Sequence, residues 1–181
     1  LTGGFFMFNF YHFAIQQALF YSVEILLTFI TKIKNNIMIK HLHSVWAYLV
    51  LLAIIIAFTN ALLGLIANKE FKTKDLRLAL FALIFAHIQL LLGFMAYYVS
   101  PFYATLREIG MGASMKEAAV RLIVVEHPLM MILAIILITV GFSKHKKKAS
   151  DKEKFKTIAL FYGLALLFVL SKIPWHQWFT K

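Results

Sequence analysis

Residues 121–142 read RLIVVEHPLMMILAIILITVGF, apolar enough to lie in a bilayer yet carrying Glu126, His127 and Pro128 side by side near its start. About 30 Å of hydrocarbon needs about 20 helical residues, so the stretch has the length of a transmembrane helix. An ionisable pair inside such a helix is costly and marks a functional site by default. Two further histidines, His43 and His87, lie at or inside other apolar runs.

The rest of the chain fits the same reading. Its 181 residues are 61% hydrophobic and only 15% charged, with a mean hydropathy of +0.79. Residues 44–67 (SVWAYLVLLAIIIAFTNALLGLIA) and 78–99 (LALFALIFAHIQLLLGFMAYYV) are free of Asp, Glu, Lys and Arg. Residues 122–142 form a third run, and residues 157–173 (TIALFYGLALLFVLSKI) a shorter fourth. After the fourth comes PWHQWF, whose Trp175 and Trp178 suit an interfacial aromatic anchor. The expected fold is therefore all-α, a four-helix up-down bundle integral to a membrane.

The net charge of +11 does not point to nucleic acid, because the lysines sit in short loops between apolar runs. Residues 68–77 hold four Lys/Arg and residues 143–156 hold seven, against three between the second and third runs. By the positive-inside rule the first two loops are cytoplasmic. His43, Tyr98, His127 and His176 then lie toward the external side. The chain has no cysteine, which removes disulfides, thiolate metal sites and thiol chemistry.

Residues 5–31 form a fifth apolar run that conflicts with this orientation, since a span there would place the lysines of KIKNNIMIK outside. Residues 1–37 are read as an N-terminal apolar extension, either an extra helix or translated upstream sequence, and residues 38–181 as the four-span domain. Met38 stands just before the first regular span.

Helical periodicity of 100° per residue identifies which side chains share a face. Ala47, Val50, Ile54, Ala57 and Ala61 lie within about 40° of His43, a stripe of small residues suited to close packing or to an occupant. Met131, Ala134, Ile138 and Gly141 share the His127 face. Leu80, Leu91, Phe94 and Tyr98 share that of His87. At 1.5 Å per residue, His43 lies near the external boundary, His127 about 9 Å in from Arg121 and His87 about 14–20 Å in. First and third helices of an up-down bundle are diagonal neighbours, so His43 and His127 can reach a common ligand, with His87 able to replace either.

Two neutral imidazoles across an apolar pocket suit haem iron. The candidate ligand set is two of His43, His87 and His127. Arg121, with Lys40 and Arg107, suits the propionates, and Tyr98 is a further candidate cofactor contact. Glu126 is expected either to fix a ligand histidine's tautomer or to relay a proton to a quinone. Absence of C-x-x-C-H excludes c-type haem, and no H-E-x-x-H pattern supports a zinc site. Glu126 and His127 diverge by about 100° on a helix, too far to bind one ion together. Pro128 frees the carbonyl near residue 124 and bends or starts the helix there. His41 and His145 are expected to be solvated. Residues 102–121 are expected to form a short amphipathic surface helix. No Ser–His–Asp set, phosphate loop or paired carboxylates argue for a stand-alone enzyme.

HLHS opening the first span, AHIQLLLGFMAYYVSP, VEHPLMMILAIILITVGFSKHKK and the terminal IPW together resemble a family of small bacterial four-span membrane proteins labelled cytochrome b-like. The resemblance covers residues from Met38 onward and leaves residues 1–37 unmatched. His43, His87 and His127 match the family pattern. SVWAY after His43 replaces the family's SGLRW, so the role of that arginine does not carry over. The resemblance implies haem b and electron transfer. A quinone or a respiratory complex is the expected partner, and an oligomer or complex subunit the expected assembly. The competing expectation is a cofactor-free structural or assembly subunit, with the histidines serving helix–helix contacts.

Overall fold

The computed structural model describes residues 17, 20–25, 28 and 37–176. The chain divides into two compact units, Leu1–Ile39 and Lys40–Lys181. In the first, residues 20–25 are helical. The possible span over residues 5–31 lies largely outside the described residues, as does Trp178.

From Ile37 onward the regular elements of the described chain are all helical: α1 (Ile37–Ile66), α2 (Thr73–Tyr98), α3 (Pro101–Ser114), α4 (Ala118–Arg121), a π-helical turn (Leu122–Glu126), α5 (His127–His145) and α6 (Asp151–Ser171). Among the described residues, four helices are long and apolar enough to cross a membrane: α1, α2, α6 and the continuous stretch Ala118–His145. Helices satisfy every backbone group within the segment, as a bilayer interior demands. The chain is an all-α, multi-pass membrane protein.

The turns between spans are built from local polar chemistry. Ser150 caps α6, its hydroxyl accepting from the Glu153 amide at 3.3 Å, which is the S-x-x-E pattern of residues 150–153. At the start of α2 the buried Asp75 accepts from the Lys72 amide and from Asn60 of α1, both at 2.8 Å. One carboxylate thereby caps one helix and ties it to its neighbour. The segment after the second span forms helix α3, with Ile109 and Met111 exposed. Gly110 breaks α3 with φ +76° and ψ 168°, a conformation open only to glycine.

Side-chain contacts give the order of the four spans around the bundle. Trp46 of α1 donates to the Phe85 carbonyl of α2 at 3.1 Å. Tyr97 of α2 donates to the Val124 carbonyl at the head of α5. Gly141 of α5 lies directly against Phe161 of α6. Gly163 of α6 faces Phe58 of α1, where an added Cβ would stand 2.8 Å from the ring. The cyclic order is α1–α2–α5–α6, so α1 and α5 are diagonal.

At the end carrying both basic loops the bundle is solid. Tyr162, Phe155, Ile158, Ile138, Ala79 and Ala82 are buried there, and the Tyr162 hydroxyl crosses the bundle to the Ala79 carbonyl at 2.9 Å. Phe71 of the first basic loop packs on Phe155 and on the His145 ring, with centroids 4.9 and 5.7 Å away. His145 is therefore buried rather than solvated. Its place on α5 beside Phe142 (centroids 4.9 Å apart), under a loop that folds back over it, overrides the lysines that flank it in sequence.

Candidate functional site

The opposite half of the bundle is hollow. A cavity of about 390 Å³ opens between α1, α2 and α5 and the end of α6, within the range of small-molecule and cofactor sites, about 300–1,000 Å³. His43 and His127 face each other across it, ring centres 6.3 Å apart and planes at 88°. The small-residue stripe below His43 ends in the buried Val50, Ile54, Ala57 and Ala61, and the His127 face in the buried Ala134 and Ile138. Both histidine-bearing faces therefore look inward.

The local sequence sets His127 in place. Pro128 has no N–H to donate four residues back, so the Val124 carbonyl is free; the Tyr97 hydroxyl donates to it at 3.4 Å. The His127 amide bonds to the Leu122 carbonyl, closing the π turn. Such single turns widen a helix locally and recur at functional sites. The His127 Nδ1 donates to the Lys172 carbonyl at 2.8 Å. A carbonyl only accepts, so this bond fixes the Nδ1–H tautomer and leaves the Nε2 lone pair available. That carbonyl sits just past the last turn of α6, where helix carbonyls lack intrahelical partners, ahead of Pro174, which cannot continue a helix.

Around His43 the fit depends on α2. A Cβ at Gly93 would stand 3.3 Å from His43 Cε1, so glycine lets the imidazole lie against the helix backbone. One turn earlier, Gln89 Nε2 donates to the His43 carbonyl at 3.0 Å. His43 Nδ1 and Gln89 Oε1 are both buried with no hydrogen-bond partner among the described residues.

His87 stands apart from this site. It is exposed on the outer face of α2, its Nδ1 donating to the Leu83 carbonyl of its own helix at 2.8 Å. Leu91, Phe94 and Tyr98 on the same face are also exposed. The inward face of α2 is instead Ala79, Ala82, Ala86, Gln89 and Gly93, a run at helical spacing that is small at every position but Gln89. That run is the signal in the sequence for the inward face of α2. Tyr98 reaches the cavity wall while remaining largely exposed.

Glu126 does not contact the ring of its neighbour. Its Oε1 accepts from Arg121 Nε and its Oε2 from Lys172 Nζ, each at 2.8 Å. The tautomer-fixing role expected of Glu126 falls to the Lys172 carbonyl. Arg121 also donates to the Met115 carbonyl at 2.7 Å and lies outside the cavity lining, whereas Lys40 is part of it.

No protein-family model, no curated protein and no solved structure matches the chain. The reading of the cavity rests on its own chemistry. Among the described residues no group of three or more His, Cys, Asp or Glu side chains is placed to hold a metal ion. What the cavity offers is one opposed pair of imidazoles in apolar surroundings.

Proposed function

We propose that this protein is a small b-type cytochrome-like membrane protein that holds haem b between His43 and His127 and transfers electrons. The observation that carries the reading is the opposed imidazole pair. His43 and His127 would hold the haem between them, their rings facing each other at the cavity with centres 6.3 Å apart. A macrocycle brings four ligands of its own, so a two-histidine site suffices for haem where a bare ion would want more. The hydrogen bond from His127 Nδ1 to Lys172 is the outer support that ligand histidines characteristically have. When bound, the haem supplies a one-electron redox centre.

Lys40 at the cavity lining suits a propionate, whereas Arg121 is engaged with Glu126 and Met115 and, like Arg107, lies outside the lining. The resemblance to the cytochrome b-like family points the same way. In this reading the basic loops at residues 68–77 and 143–156 are cytoplasmic, in a bacterial inner membrane, and the haem lies toward the external side. Electrons pass between a quinone or another membrane carrier and an external partner.

The test is a reduced-minus-oxidised difference spectrum of the protein purified from haem-replete cells. A b-type α-band is expected. Colourless protein overturns the proposal and favours a cofactor-free assembly subunit.

A further inference from the structure

The two imidazoles are held by different means. His127 belongs to a closed ring of contacts joining the start of α5 to the end of α6. Its Nδ1 donates to the Lys172 carbonyl at 2.8 Å, and the Lys172 ammonium returns to Glu126, the residue before His127, also at 2.8 Å. Arg121 grips the other carboxylate oxygen. The side chains of Glu126 and Lys172 are about one-quarter and one-third exposed, so their ion pair is partly shielded from solvent. Any swing of the His127 ring breaks its hydrogen bond to a backbone that two attachments keep still. An acceptor on the far nitrogen also raises the basicity of a ligand imidazole.

His43 has no comparable support. Gln89 holds its backbone carbonyl rather than its ring. The ring rests on the bare backbone at Gly93, and Nδ1 is buried with no partner among the described residues. A buried ring nitrogen without a hydrogen-bond partner costs free energy, so no bond at that nitrogen holds the ring in place. The adjoining cavity gives the ring somewhere to go and a replacement somewhere to sit.

We propose that His127 is the clamped partner and His43 the exchangeable one, so that the cavity accepts a small monodentate ligand (imidazole, cyanide or carbon monoxide) in place of His43. Glu126 and Lys172 are positioning residues for His127. The inference rests on the haem reading for its ligand, while the unequal support of the two rings stands independently of it.

The test compares purified wild-type protein with His43→Ala, His127→Ala and Glu126→Gln, with helix content checked by circular dichroism. His43→Ala is expected to keep most of the pigment, and added imidazole to restore the wild-type spectrum. His127→Ala is expected to lose the pigment with no rescue. Glu126→Gln weakens retention about tenfold, the lower end of the effect of losing an outer support. Equal loss in the two histidine variants, or rescue of His127→Ala alone, overturns the proposal. Colourless wild-type protein instead defeats the haem reading. Nitrogen-15 NMR of the histidine rings in pigment-free protein then reads the clamp directly. One fixed Nδ1–H tautomer at His127, lost in Glu126→Gln, with exchanging tautomers at His43, supports it, and two rings alike overturn it.

Discussion

The two halves of this bundle are made of the same four helices and similar residue types, yet one is filled and the other hollow. At the end with the basic loops, glycines meet aromatic rings: Gly64 lies against Phe155, Gly141 against Phe161 and Gly163 against Phe58. Each ring occupies the space a missing side chain leaves, and helices in a membrane gain most of their association from such packing. At the other end the small residues are not matched by large ones. Gly93 faces the His43 imidazole, while the cavity remains between α1 and α5. Small residues alone therefore do not say whether a bundle is tight. Their partners across the gap do.

That contrast can be broken by substitution, and the effects on stability should fall in a definite order. Gly141→Ala places a Cβ against the Cβ of Phe161, an atom fixed to its own backbone, so the helices must part. A loss of about 1–3 kcal/mol is expected, read by thermal unfolding in detergent. Tyr162→Phe removes the hydroxyl that reaches Ala79 across the solid half, with an expected loss of about 1 kcal/mol. In the hollow half, Ala47→Leu adds bulk at the cavity wall. It is expected to leave the melting temperature unchanged or higher while removing the pigment band, and a large loss of stability there would show that the cavity is not space for an occupant. His87→Ala, on the outer face, is expected to change stability by less than about 0.5 kcal/mol and leave the spectrum as it is. A lost spectrum in that variant would move the site to α2.

Much of the site was legible in the sequence. The interior faces of α1 and α5 follow from periodicity: the stripe running from His43 and the residues sharing the face of His127 are the ones that end up buried. The effect of Pro128 was also readable: it frees the Val124 carbonyl, which Tyr97 then satisfies. On α2, His87, whose depth alone would let it replace either of the other two histidines, turns outward. That helix is apolar on nearly all sides, so its pattern singles out no face strongly, and a histidine bonded to its own backbone needs no interior partner. The tautomer-fixing role expected of Glu126 is not met for a different reason: its carboxylate is taken up by Arg121 and by Lys172, the latter 46 positions away.

The sequence by itself determined the four apolar spans, the basic loops joining them at one end, and the angular relations among residues on each helix, because these depend only on composition and on the 3.6-residue period. Only the tertiary structure decided how each helix is rotated about its own axis, and hence that His43 and His127 meet while His87 does not. It also decided that the Lys172 carbonyl holds His127, and that Phe71 folds over His145. These depend on contacts between segments far apart in the chain, where the filling of space between helices, rather than any local preference, selects one arrangement.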